Sequence, residues 1–179
     1  MKSLRSYAAL ISLGLSLLSI AAYAQDSTTT FPRIQGETFA GRKVQLPDDV
    51  KGQVAVLIFG FTKASSKPTG AWAKKISAEF RARSNFELYQ LPVLEEVPRL
   101  IRGMVISGIK KGVPESERDH FVPVLQDEAG LKKAVNYSAP DDAYLVILSR
   151  EGKVVQQMHG PVQDSDYPRL RQELESLLK

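Results

Sequence analysis

The sequence contains no cysteine. Without a thiol there are no disulfides, no thiolate nucleophile and no sulfur ligands for a soft metal. Thiol–disulfide oxidoreductase and thiol peroxidase activities are therefore excluded, as is a lipoprotein anchor, which needs a cysteine to acylate. Histidine is nearly as scarce. His120 and His159 are the only two, and no ligand spacing or Ser/His/acid arrangement surrounds them. There is no glycine-rich phosphate loop, because Gly36 and Gly41 sit in a predicted hairpin. The formal net charge of +4 includes Lys2 and Arg5 at the very start. What remains is too small and too dispersed for nucleic acid. Lys74-Lys75, Lys110-Lys111 and Lys132-Lys133 read as solvated faces, and Met104 and Met158 as core filler. No cofactor and no metal is expected.

What is present begins with a targeting pattern. Lys2 and Arg5 precede an apolar run, Ala8–Ala22, and Ala22-Tyr23-Ala24 supplies small residues before Gln25. This predicts a secretory signal peptide over residues 1–24 and a periplasmic or secreted protein. The alternative is a membrane anchor left uncleaved, since the run approaches the ~18 residues that can span a bilayer. Gln25–Thr30 is polar and aperiodic, a predicted flexible tail. Residues 31–179 have the length of one domain with a sizeable core.

Along that domain, strand and helix patterns alternate. Thr38–Phe39 and Lys43–Leu46 flank Gly41 as a hairpin, and Asp48-Asp49 reads as a turn. Val54–Phe61 is a continuous apolar run suited to a central strand buried on both faces. Thr69–Arg83 places Trp72, Ile76 and Phe80 on one helical face, with Ser66 or Thr69 as cap and Pro68 tolerated at the start. Strand Phe86–Leu91 follows. A helix over Pro98–Lys111 carries an apolar stripe of Leu100, Ile101, Met104, Val105 and Ile109, with Gly103 and Gly108 suggesting close packing or a break. Strand Phe121–Leu125, helix Glu128–Val135, strand Tyr144–Leu148, a Glu151-Gly152 turn into Lys153–Met158, and an amphipathic helix Pro168–Leu178 complete the domain. The order predicts an α/β fold, with a mixed central sheet, an N-terminal β-hairpin and helices on both faces.

That order is the one found in larger thioredoxin-like proteins, and short motifs add to the likeness. FGFTKASSKP, Phe59–Pro68, resembles the FGYTxCPxxCP segment of the Sco copper chaperones, with Ala64 and Pro68 in place of the cysteines. FVPVLQDEAGLKKAVNY, Phe121–Tyr137, is similar to the F-x-x-L-x-D-x-x-G stretch of peroxiredoxins, in whose register the reactive position falls on Ser65. Aligned as a thioredoxin, the redox pair falls on Ala64 and Lys67. Ala143 stands where the cis-proline before the late strand is usual, with Pro140 three residues earlier. The resemblance thus implies a three-layer thioredoxin-like fold without its chemistry.

A further resemblance is to the mitochondrial ATP-synthase assembly factors with a degenerate thioredoxin-like fold. It rests on Gly36 and Gly41, a cysteine-free loop followed by Trp72, Asn136, the Tyr144–Leu148 strand and the Gly152-Lys153 turn; the family's Arg-Trp after the turn is replaced by Val154-Val155. The resemblance implies chaperone-like binding of a protein partner in the cell envelope, such as a membrane-protein subunit, without catalysis. Residue types nominate Thr62, Lys63, Ser65, Ser66 and Lys67 as binding candidates, on the loop where a rigid scaffold would present them. The alternative is a non-thiol enzyme or a small-anion site at the helix N-terminus, Ser66–Gly70, with Lys63 and Lys67 nearby. Two features discriminate. An apolar rim favours a protein partner, whereas a deep charged pocket favours a small ligand. Trp72 is expected to be buried.

Overall fold

Val54–Phe59 carry nothing but aliphatic and aromatic side chains, so the segment needs partners along both edges and cover on both faces. The computed structural model, which describes residues 31–179, supplies both. The N-terminal hairpin is β1 (Ile34–Glu37) and β2 (Lys43–Leu46). Next comes β3 (Val54–Gly60), which pairs in parallel with β4 (Phe86–Pro92) and antiparallel with β5 (Tyr144–Leu148). With β6 (Val154–His159) the main sheet runs in the order β4-β3-β5-β6.

Because side chains alternate across a strand, β3 serves two separate layers. Val56 and Ile58 face Trp72, Ile76 and Phe80 of α1 (Ser66–Phe80) and Leu170 and Leu174 of α4 (Asp166–Leu177). Leu57 and Phe59 face the hairpin residues Ile34, Val44 and Leu46, and Leu131 of α3 (Glu128–Ala134). The sheet is mixed and covered on both faces, as expected. Among the described residues, both layers draw on elements from the hairpin to α4. The predicted signal peptide and tail lie outside the described residues.

Several boundaries differ from expectation for physical reasons. Thr38–Phe39 is the hairpin turn and not a strand, since Thr38 N–H reaches Arg42 O at 2.8 Å and Gly41 N–H returns to Thr38 O. Gly41 has φ +96°, a conformation that favours glycine. The segment Phe121–Val124 runs beside β4 through isolated bridges at Phe121 and Val124 only. Pro123 has no N–H to extend a ladder. A 3-10 turn, Glu115–His120, leads into it.

The larger correction concerns α2 (Arg99–Gly112). It forms without a break, and a Cβ on Gly103 or Gly108 would meet nothing, so neither glycine marks close packing. Its apolar stripe is not core. None of its side chains is buried, and none packs on either core layer. Met104, expected inside, is exposed, whereas Met158 does pack on the layer beneath α1. No helix among the described residues is long and apolar enough to cross a membrane.

Polar contacts fix the hairpin to the far edge. Arg42 Nε donates to both Asp119 carboxylate oxygens, at 3.0 and 3.1 Å, while its Nη2 donates to Tyr89 Oη at 3.0 Å. The hydrogen bond from Arg42 holds the Asp119 carboxyl below the usual aspartate range. A carboxyl with a depressed folded-state pKa stabilises the fold above its unfolded value of about 4, and that stability is lost as pH falls through the folded value. Melting temperature measured against pH should therefore show Asp119→Asn less stable than wild type at pH 7. The gap should close progressively below about pH 4.

A second prediction concerns Trp72, which is fully buried and donates Nε1–H to Gly160 O at 2.9 Å. Trp72→Phe keeps most of the bulk but strands that carbonyl. Urea unfolding should register a loss of about 1–3 kcal/mol.

Candidate functional site

The parallel pairing of β3 with β4 brings the C-terminal ends of both strands to one edge, with Gly60 opposite Pro92. From that edge Phe61–Ser65 leads into α1. All five nominated residues lie there, on one loop and the first turn of the helix.

The loop is closed upon itself. Ser65 is 1% exposed. Its hydroxyl donates to Thr62 O at 2.7 Å and accepts from Thr62 N–H at 3.2 Å, and Ser65 N–H donates to Thr62 Oγ1 at 3.2 Å. Room for Ser65 comes from Gly60, where a Cβ would come within 2.7 Å of the Ser65 hydroxyl oxygen. Thr62 Oγ1 in turn donates to Asp141 at 2.9 Å, tying the loop to the segment before β5.

The expected capping by Ser66 or Thr69 does not occur. Both hydroxyls donate to carbonyls three residues back, Ser66 to Lys63 O and Thr69 to Ser66 O. The N–H groups of Ser66, Lys67 and Thr69 donate to Lys63 O, Ala64 O and Ser65 O, and Pro68 has none to offer. The first turn therefore holds no free N–H for an anion. Lys63, Ala64, Ser66 and Lys67 face solvent.

Beside the loop stands an aromatic group that the sequence pattern did not single out. Phe61 packs in a T-shaped manner against Tyr137 and Tyr144 at centroid distances of 5.1 and 5.6 Å. Tyr144 stacks on Tyr137 and on His159. Its hydroxyl accepts from the N–H groups of Ser138 and Ala139 and donates to Ala139 O. Asp142 pairs with His159 Nδ1 at 2.7 Å.

Lys132, expected on a solvated face, is held instead. Its ammonium contacts Glu128 at 2.8 Å and Glu96 at 2.9 Å and lies over the rings of Tyr137 and Phe61. Hydrogen bonds to Glu128 and Glu96 push its pKa above the ordinary lysine range. The carboxylates before and after are similarly engaged: Glu95 accepts from Glu128 N–H at 2.6 Å, and Glu96 is held below its usual range by Lys132. The one sequence signal for this group was tyrosine at 137 and 144 flanking an Asp-Asp pair. Each is common in loops and strands, and only the fold brings them together.

The cis-proline position holds Ala143, which is buried and accepts from Gly160 N–H at 2.9 Å. Among the described residues the cis peptide bond is Leu46–Pro47, so Pro140 does not take the role. No three His, Asp or Glu side chains among the described residues converge as metal ligands. A cavity of about 230 Å³ lined by Arg81, Arg83, Glu87 and His120 lies at the opposite end of β4, by Phe86, away from the loop.

This fold is thioredoxin-like. Among solved structures it is similar to a DsbE-type thiol:disulfide interchange protein from Chlorobium tepidum, at 18% identity and TM-score 0.58, over 84% of this chain and 96% of that one. It is similar also to BsSco, a member of the Sco family of cytochrome c oxidase assembly proteins, at 15% identity and TM-score 0.57, over 83% and 93%. A third is the exposed lipoprotein thioredoxin Etrx1 of Streptococcus pneumoniae, at 14% identity and TM-score 0.57, over 80% and 100%. At such identities the likeness is one of fold. No family model and no curated protein matches the chain.

Restoring a side chain at Gly60 tests the loop's construction. Gly60→Ala should push Ser65 out of its seat and cost about 1–3 kcal/mol in chemical denaturation. Lys63→Glu, fully in solvent, should stay within about 0.5 kcal/mol of wild type.

Proposed function

We propose that the chain is a redox-inactive thioredoxin-like binding module that holds a polypeptide in the cell envelope, using the face where related folds carry their redox pair. The observation that carries this reading is the closed loop. The hydroxyls of Thr62, Ser65, Ser66 and Thr69 and the N–H groups of Thr62, Ser65, Ser66, Lys67 and Thr69 are bonded inside the protein. This leaves the Lys63 and Lys67 ammoniums exposed, with no acid or base among the described residues paired to them. A rigid surface suits recognition, because little conformational freedom is lost when a partner docks.

The reading of the helix N-terminus as an anion site or non-thiol active site is weakened by the same bonds, since Lys63 and Lys67 would have to act without backbone donors. Envelope location is supported by the targeting pattern in residues 1–24 and by the fold of the pneumococcal exposed lipoprotein. An assembly role is supported by the resemblance to the ATP-synthase assembly factors, and BsSco provides a similar fold in an assembly protein. A membrane-protein subunit is the partner that this resemblance implies.

The test is crosslinked recovery of full-length, C-terminally tagged protein from the envelope fraction of its own host, alongside Lys63→Glu/Ser66→Glu. Recovery of one membrane subunit by the wild type and its loss in the variant is the expected result. Equal recovery by both, or nothing specific with either, would remove the proposed face from the account.

A further inference from the structure

Among the described residues a single helix carries the most exposed large apolar side chains. Leu100 is 99% exposed, Met104 75% and Ile101 46%, all within the first six residues of α2. Leu100 is as open to water as in an unfolded chain, so no described residue covers it. Val105, Ile106 and Ile109, on the other side of α2, are half-buried. Leu100, Ile101 and Met104 therefore lie on the side of α2 away from its partly covered residues.

Charge on α2 is of one sign. Arg99, Arg102, Lys110 and Lys111 are its ionisable residues, and it has no Asp or Glu. Arg102 folds back onto the carbonyls of Glu95 and Val97, which leaves Arg99, Lys110 and Lys111 in solvent. No ion pair among the described residues engages Arg99, Lys110 or Lys111; Glu96 is paired with Lys132 and Glu117 with Arg81, while Glu95 keeps its charge against Glu128 N–H. Glu115, just past the helix, is exposed.

We infer that α2 is a membrane-contact helix, in which Leu100, Ile101 and Met104 enter the headgroup boundary of an anionic bilayer while Arg99, Lys110 and Lys111 meet its phosphates. Apolar residues on one side with cations beside them are what an interfacial helix requires. A polypeptide groove is a poorer match. Groove-binding helices present apolar anchors over two turns or more. Here the exposed apolar side chains stop at Met104, and Ser107, Gly108 and Lys111 follow on that side. The contact is separate from the loop surface. Both nonetheless stem from one end of the sheet, because α2 follows the C-terminal end of β4 and the loop follows that of β3.

The experiment is vesicle sedimentation with residues 31–179, which leave out the apolar run Ala8–Ala22 and are first shown to fold by circular dichroism and a cooperative thermal melt. Phosphatidylglycerol-containing vesicles are compared with pure phosphatidylcholine. The protein should sediment with the anionic vesicles, and far less with the neutral ones, with partitioning that weakens as salt rises. Lys110→Gln/Lys111→Gln should lower partitioning by roughly five-fold per cation removed. Leu100→Ser/Met104→Ser should abolish it, with unchanged circular dichroism and melting temperature as the folding control.

Lys63→Glu/Ser66→Glu should sediment nearly as wild type, which separates this contact from the loop reading. Failure to sediment with anionic vesicles would overturn the inference, as would sedimentation undiminished by Leu100→Ser/Met104→Ser. A photo-crosslinker at position 100 that captures an envelope polypeptide in cells, with no vesicle binding, would overturn it in favour of a protein partner.

Discussion

The placement of everything else depends on β3. It is paired on both edges and buried on both faces, so it has no freedom to slide: a one-residue shift would turn Leu57 and Phe59 into the α1 layer and Val56 and Ile58 into the hairpin layer. With β3 fixed, the exit point of Phe61–Ser65 is fixed too. Gly60 then lets Ser65 settle against the strand end, and Trp72 reaches across to Gly160. A reactive loop in this position would need its polar groups free. Here the hydroxyls and N–H groups of Thr62 and Ser65 are bonded within the loop and to Asp141.

The result is a thioredoxin-like scaffold without the cysteines that thiol chemistry requires. Hydrogen bonds between Thr62 and Ser65, and from Thr62 to Asp141, give a loop whose shape is set by internal contacts rather than by a ligand. The aromatic group of Phe61, Tyr137 and Tyr144, with Lys132 across it, braces the adjoining segment. These contacts make a firm surface at the end of the sheet where α2 also begins, and function resides in such a surface, since the fold alone does not specify it.

Much of the fold was legible in the sequence because burial writes itself into composition. The unbroken apolar run of β3, the i, i+4, i+8 spacing of Trp72, Ile76 and Phe80, and the turn at Glu151-Gly152 each have one good structural interpretation. α2 shows the limit. Its periodicity marks a helix correctly, but periodicity cannot say whether an apolar stripe meets a core or meets water. The site was legible only in part. Residue types located the loop, yet Ser65 as a buried brace depends on Gly60, and the grip on Lys132 depends on Glu96, which lies 36 positions away in sequence. Such long-range pairings leave no local mark.

The Thr62–Thr69 loop is closed by its own hydrogen bonds. Amide hydrogen exchange of the free protein, resolved by residue, tests it most directly. Ser65, whose N–H is bonded to Thr62 within the loop, and Thr69 should be strongly protected, with the N–H groups of Ser66 and Lys67 also slowed relative to an unfolded peptide. Exchange of all four at the rate of an unstructured chain would contradict the account, since it would mean an open loop with its donors free for a ligand.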